Sequence, residues 1–345
     1  SKGPEIRFRL FEGSKVTIND GDLFTLTTRE ILGNNTIGSI SYKNLINDVQ
    51  VGTSILVNDG LIELKVEKVG DTDIVCRVIN GGVISDRKAI NVPGVHLSLP
   101  FLSDVDRRDL EFAMKTGFDF FALSFVRCAE DVLEVRRLQK EHNNTSKLIA
   151  KIESQEGVEN LDAIIDVADG IMVARGDMGV EIPFEKVPVV QKDMISKCLK
   201  SGKFVIVATQ MLESMTHNPR PTRAEVNDVA NAIFDQTSAV MLSGESAAGD
   251  YPVEAVKTMS RICHEIEKTT TTGKFEITYN GSNLASSIAC AACSIASVIN
   301  ADAIIPVSLS GSTIRKVSGF RPNINIIGCS TNERVCRETS LMWGV

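Results

Sequence analysis

The 345-residue chain has no apolar run approaching the ~18 residues that a membrane-spanning helix needs, so no contact with a membrane interior is expected. It has no long basic run either. A formal charge of −7 disfavours a nucleic-acid partner, although a local basic cleft can still hold small anions. The four histidines, His96, His142, His217 and His264, share no spacing, which argues against a histidine triad or a histidine zinc site. The eight cysteines lack disulfide-type spacing and read as reduced, buried thiols. Only Cys290 and Cys293 lie close together, and with no second pair to complete a zinc site they read as core packing on an apolar helix face. No signal-peptide pattern opens the chain, and a cytoplasmic protein is expected. Both ends look cut, so the sequence reads as a fragment.

Its length suffices for two or three domains, and 43% hydrophobic residues are enough to give each a core. From about Phe8 to Lys88 apolar and polar residues alternate, broken by turn dipeptides. Asn58-Asp59-Gly60 and Asn80-Gly81-Gly82 each read as the turn of a β-hairpin, because these residues tolerate positive φ. An all-β domain follows from that pattern. After Pro93-Gly94 short apolar runs appear at Phe118–Ser124, Leu148–Ile152, Gly170–Ala174, Phe204–Ala208 and Ala239–Leu242, separated by amphipathic helical stretches. Continuous apolar strands imply burial on both faces and hence a parallel sheet.

All five runs end in polar or charged residues: Ser124 to Arg127, Lys151 to Glu153, Arg175 to Asp177, Thr209-Gln210 and Ser243 to Glu245. A doubly wound open sheet would gather such groups at one switch point, whereas a (β/α)8 barrel spreads them over the carboxyl ends of all its strands. The barrel is therefore favoured. A strand near Lys2–Ile6 makes six, so two more would precede Ser1, and the β domain becomes an insertion in the barrel. The expected boundaries are 1–7 for a barrel strand, 8–92 for the inserted β domain, 93–272 for the barrel and 273–345 for an incomplete C-terminal α/β domain.

Lys151 and Glu153 lie two apart on one strand and point the same way, toward the barrel axis or mouth. They form either a structural ion pair or a site in which a divalent metal and an anionic substrate satisfy both charges. In Arg175-Gly176-Asp177 the glycine lets backbone approach a ligand, and the start of a short helix suits a carboxylate or phosphate. Glu153 and Asp177 together suit magnesium or manganese. Thr209 is a site hydroxyl or no more than a strand cap. Asp228, Asn231 and the Ser243–Ser246 turn are expected to order the barrel mouth, and Thr222 and Glu225 have capping-box spacing.

Six ordered motifs make the resemblance specific: Lys2-Gly3-Pro4-Glu5-Ile6-Arg7, Ile149-Ala150-Lys151-Ile152-Glu153, Met172 through Glu181, Ala208 through Met215, Pro219 through Glu225, and Met241 through Glu245. In this order they closely resemble the pyruvate kinase family along essentially the whole chain. The resemblance implies a (β/α)8 barrel with its first strands missing, an inserted all-β lid and a C-terminal α/β domain. It implies a phosphotransferase that moves a phosphoryl group from phosphoenolpyruvate to ADP, giving pyruvate and ATP in glycolysis. On the matching positions, Lys151 would neutralise charge on the transferring phosphoryl and the enolate, and Glu153 and Asp177 would hold Mg2+ or Mn2+. Gly176, Asp177 and Thr209 would bind the substrate carboxylate, with Thr209 also in the relay that protonates the enolate. Arg7 and Lys88 would contact the nucleotide phosphates.

Ser1 would be the remaining part of a K+ site, and Glu5 matches the K+-dependent form of the motif. As supplied, the fragment is expected to be inactive or nearly so. Ser308, Ser310, Gly311, Ser312 and Thr313 match a loop that in many members cradles a sugar-phosphate effector, with a plain helix cap as the alternative. A homotetramer with a sugar-phosphate or nucleotide effector is the family expectation. Two rivals remain, a metal-dependent barrel aldolase or lyase working through an enolate, and a non-catalytic remnant that only binds metabolites.

Overall fold

The structure, a computed structural model, describes residues 2–269 and 284–345. Five strands, Phe120–Leu123, Lys147–Ile152, Gly170–Ala174, Phe204–Ala208 and Ala239–Val240, pair in chain order, and every pairing is parallel. The helices Ala129–Glu141, Leu161–Val167, Val187–Lys200 and Arg223–Phe234 supply the crossovers. Alternation along the strands separates two apolar layers. Leu148, Ala150 and Ile152 pack outward with Val135, Ile164 and Met194 of the helices, while Ile149 packs inward with Met172, Ile206 and Ala208. These are five consecutive strands of the (β/α)8 barrel. Lys151 and Glu153 share the parity of Ile149, and therefore face the barrel interior.

The expected barrel strand near Lys2–Ile6 is replaced by a shorter one in a different sheet. Ile6–Arg7 pairs antiparallel with Ala89–Asn91, Ile6 opposite Ile90. Two features stop Lys2–Glu5 from extending a ladder: Pro4 lacks an amide hydrogen, and Gly3 sits at φ +71°. A Cβ on Gly3 would lie 2.3 Å from Ser124 O, so only glycine lets this segment pass so close to the end of Phe120–Leu123.

The lid is a seven-stranded sheet in the order Ile6–Arg7, Ala89–Asn91, Ser54–Val57, Ile62–Val69, Asp73–Asn80, Leu23–Thr27, Ile37–Ser39, beside a two-stranded pair of Lys15–Ile18 with Gly82–Ser85. It has its own core, in which Phe8, Phe24, Leu26, Ile55, Leu64 and Ile74 are fully buried. The turn at Asn58-Asp59-Gly60 closes the expected hairpin, with φ of 54°, 57° and 82° and Val57 opposite Ile62. The second expected hairpin does not form. Gly82–Ser85 leaves Asp73–Asn80 and pairs with Lys15–Ile18 instead. A Cβ at Gly81 would come within 2.5 Å of Ile18 O, so the glycines permit a close crossing between sheets rather than a reversal.

In the C-terminal α/β region the helix Leu284–Val298 precedes the parallel strands Ala303–Ile304 and Asn325–Ile326 and the helices Ser312–Gly319 and Glu333–Thr339. Cys293 is buried in its core with Ala289, Val317 and Ile326, and Cys290 is buried beside it, as core packing requires. Arg337 pairs with Asp119 at 2.8 Å and Lys147 with Glu338 at 3.5 Å, which docks this region against the strands' amino-terminal ends. That is the barrel floor, opposite the face where the polar residues collect. No described helix is long and apolar enough to cross a membrane.

Candidate active site at the barrel mouth

Lys151 Nζ lies 2.6 Å from Glu153 Oε1 and 3.1 Å from Ser124 Oγ. The Glu153 side chain is 1% exposed, and its other oxygen accepts from the Phe125 amide. Burial pushes the Glu153 carboxyl above its ordinary pKa, and the Lys151 ammonium opposes that rise. Asp177 is also raised by burial, again opposed by Lys151, with Asp59 and Glu5 adding repulsion, and it reaches hydrogen-bonding range of Glu153. One ammonium thus faces a buried carboxylate, Glu153, and a half-buried one, Asp177. A divalent cation would relieve that imbalance, and two hard oxygen donors with room for waters fit magnesium. Among the described residues no group of three or more His, Cys, Asp or Glu side chains forms a fuller cage.

These shifts have a pH consequence. In the folded chain both carboxyls hold protons at pH values where the unfolded chain has lost them, so they lower stability as pH rises from the ordinary carboxylate range through the raised values. Mg2+ at this site would bind the deprotonated pair. The gap between unfolding midpoints in Mg2+ and in EDTA is therefore expected to widen with pH until both groups ionise, and a pH-independent gap would remove them from the metal shell.

Thr209 follows the strand Phe204–Ala208 at φ +70°, and Gln210 continues at φ +53°. Two successive non-glycine residues in the left-handed region persist only where their surroundings hold them. Arg175 does this: its guanidinium donates to Thr209 O at 2.6 Å, Ala208 O at 3.3 Å and Asp228 Oδ1 at 2.7 Å. Thr209 Oγ1 donates to Ala208 O at 2.6 Å and accepts from the Gly176 amide at 2.8 Å. Around this turn, buried Glu245 accepts from the Leu212 and Ser243 amides, and Glu225 accepts from the Ser214 amide and hydroxyl as well as completing the Thr222 capping box.

Arg7 and Lys88 stand where the chain enters and leaves the lid. Arg7 forks onto Glu5 through Nε at 2.9 Å and Nη2 at 2.8 Å, and its remaining arm donates to Arg87 O. Lys88 is half-buried directly before the neighbouring strand Ala89–Asn91. The lid hairpin reaches the helix Arg175–Glu181, since a Cβ on Gly60 would lie 3.7 Å from Val180 Cγ1. A second link joins Asn91 Nδ2 to Glu181 Oε1 at 2.9 Å. Between the lid exit and the barrel lies a cavity of about 450 Å3, bordered by Glu5, Asn91, Phe125, Arg127, Asp177 and Glu181. The loop Ser308–Thr313 belongs to the C-terminal region, away from this cluster. There the buried Ser308 hydroxyl accepts from the Thr313 amide at 3.4 Å and Gly311 sits at φ +74°, while Ser310, Ser312 and Thr313 are exposed. Ser1 lies outside the described residues.

The family model for the pyruvate kinase barrel domain matches residues 1–256, and that for the pyruvate kinase alpha/beta domain matches residues 286–345. The chain belongs to the pyruvate kinase family. It is 48% identical over its whole length to pyruvate kinase from Clostridium acetobutylicum, covering 74% of that protein. It is 47% identical to that from Geobacillus stearothermophilus, covering 60% of it. A crystal structure of a pyruvate kinase from Cryptosporidium parvum superposes with TM-score 0.93 at 42% identity, over 99% of this chain and 72% of the other.

Within this pyruvate kinase fold the structure brings together Lys151, Glu153, Asp177, Gly176 and Thr209, with Arg7 and Glu5 paired where the chain enters the β domain. Sequence reasoning gave no role to Arg175, which positions Thr209. A charged residue directly after the wholly apolar run Gly170–Ala174 was the available signal, whereas its 12% exposure and its pairing with Asp228, 53 positions away, emerge only in the structure. It likewise missed the link from Asn91 to Glu181, which no local spacing reveals.

Proposed function

We propose that this pyruvate kinase transfers the phosphoryl group of phosphoenolpyruvate to ADP at the Lys151–Glu153–Asp177 cluster, and that Thr209 assists protonation of the enolate left behind. The observation that carries this reading is the single ammonium of Lys151, 2.6 Å from a fully buried carboxylate, at the carboxyl end of a barrel strand. As the O–P bond of the enol phosphate breaks and phosphorus bonds to a terminal phosphate oxygen of ADP, negative charge moves onto the enolate oxygen. Lys151 is placed to stabilise that charge in a site shielded from water. Bound at Glu153 and Asp177, Mg2+ or Mn2+ would supply electrostatic stabilisation of phosphoryl and enolate oxygens.

The Gly176 amide now donates to Thr209 Oγ1, so an arriving substrate carboxylate would take over that amide and release the hydroxyl toward the substrate carbon. Arg7 and Lys88 would approach the nucleotide phosphates as the lid closes, with Arg7 exchanging Glu5 for phosphate oxygens. Lid closure over the cavity would exclude water and limit hydrolysis of the phosphoryl group. Glu5 beside the hinge supports a K+ requirement, with Ser1 as one ligand. A homotetramer, a cytoplasmic location and a sugar-phosphate or nucleotide effector at Ser308–Thr313 complete the proposal. An aldolase or lyase reading no longer competes, because the family models cover the lid as well as the barrel.

Two substitutions separate these roles. Glu153→Gln is expected to raise the Mg2+ concentration for half-maximal turnover by at least tenfold, and an unchanged requirement would remove Glu153 from metal binding. Thr209→Ala is expected to slow proton exchange at the methyl group of pyruvate more than phosphoryl transfer. Equal loss of both steps would count against the protonation role.

A further inference from the structure

A second cluster of charge lies on the barrel floor, at the seam with the C-terminal region. Lys203 leads into the strand Phe204–Ala208, Arg315 projects from the helix Ser312–Gly319, and Arg321 follows that helix. All three line one small cavity of about 20 Å3 together with Ser238, Ser318 and Trp343, and none of its eleven lining residues is acidic.

Arg321 is only 6% exposed and has no carboxylate partner among the described residues. Its guanidinium donates to neutral acceptors, Ser238 Oγ at 2.9 Å, Ser318 O at 3.2 Å and Gln236 O at 3.3 Å, and lies over the Trp343 ring at 5.4 Å. Its Nε is buried with no acceptor. Burial pulls its pKa down to about 10. Lys203, half-buried, donates to Ala168 O at 2.7 Å, and its pKa is lowered by burial and by the nearby charges of Arg315 and Arg136, against the pull of Asp169 and Asp166. Asp169 is already committed to Arg136 at 2.6 Å. The Arg315 side chain makes no hydrogen bond or ion pair among the described residues.

Buried charges are normally paired, and a buried donor without an acceptor costs stability. Here three cations from two regions of the fold line one cavity to which no acidic residue contributes, while Asp169 and Asp166 act on Lys203 from outside it. We infer that this seam is a binding site for a small oxyanion of the phosphate type, held by Arg321, Arg315 and Lys203. The planar forks of two arginines suit a tetrahedral oxyanion. The enclosed volume holds about one water, and the half-exposed, unpartnered Arg315 can swing aside to admit the larger ion. The ion would tie the C-terminal region to the foot of the strand whose other end carries Thr209. Its source is either free inorganic phosphate or the phosphate end of a small metabolite.

The test is thermal unfolding of the protein titrated with inorganic phosphate at ionic strength held constant with chloride. The midpoint is expected to rise saturably by a few degrees, as for a ligand that binds only the folded state. The rise should disappear in Lys203→Gln and in Arg315→Gln, both of which should form pyruvate normally in chloride, and should persist in Lys203→Arg. It should also persist in Lys151→Met, which separates it from phosphate bound at the barrel mouth. Glycerol phosphate distinguishes the sources: a comparable rise indicates a phosphorylated metabolite, and no rise indicates the free ion. The inference is overturned if wild type shows no saturable rise, if the rise survives both glutamine variants, or if it is lost in Lys151→Met. Loss in Arg315→Gln alone would overturn it too, by moving the ion to the Ser308–Thr313 loop.

Discussion

Replacing Lys151 with methionine is expected to cut pyruvate formation by about two to three orders of magnitude, the ~3–4 kcal/mol typical of one lost charge contact to a transition state. Folding should survive. Methionine roughly matches the lysine stem in volume, and Glu153, left buried without its cation, can take up a proton because burial already favours its neutral form. Mn2+ should still bind, since both carboxylates remain. Circular dichroism, Mn2+ binding and steady-state turnover together check this, and turnover within threefold of wild type would deny Lys151 its role.

Arg175→Met is expected to have the second largest effect. It removes the guanidinium that holds the Thr209 turn and strands Ala208 O, Thr209 O and the Asp228 carboxylate, leaving only the Gly176 amide on Thr209 Oγ1. Leaving such groups unpaired costs ~2–4 kcal/mol of stability, and a misplacement of Thr209 by about 1 Å lowers turnover by ~10–100-fold. Arg175→Lys should rescue little, because a lysine offers a point charge rather than a planar fork. Unfolding midpoints and kcat, measured on both variants, decide the matter. A stable, fully active Arg175→Met protein would show that Thr209 keeps its position without the clamp.

The barrel was legible in the sequence because its strands are buried on both faces and so read as continuous apolar runs: Gly170–Ala174 and Phe204–Ala208 are buried at every position. The cluster was legible for a related reason, since Lys151 and Glu153 break the end of such a run with the parity of Ile149. What stayed hidden depends on approach in space. Asn80-Gly81-Gly82 has the composition of a hairpin turn, but glycine serves a close crossing equally well, and only the proximity of Ile18 O distinguishes the two. Lys2–Ile6 has the composition of a strand end, yet Pro4 and left-handed Gly3 hand its pairing to Ala89–Asn91. The backbone strain at Thr209 and Gln210 is invisible in a sequence because neither residue is a glycine. The Arg321 seam and the Asn91–Glu181 link join residues 83 to 90 positions apart, beyond the reach of any periodicity.

The central claim is that phosphoryl transfer runs on the Lys151–Glu153–Asp177 cluster. Its most direct test is pyruvate formation from phosphoenolpyruvate and ADP by the protein that carries this chain, with and without Mg2+ and K+, wild type beside Lys151→Met. The account predicts turnover that requires Mg2+, rises with K+ and collapses in the variant. Turnover that is indifferent to the divalent metal and unaffected by loss of Lys151 would contradict it.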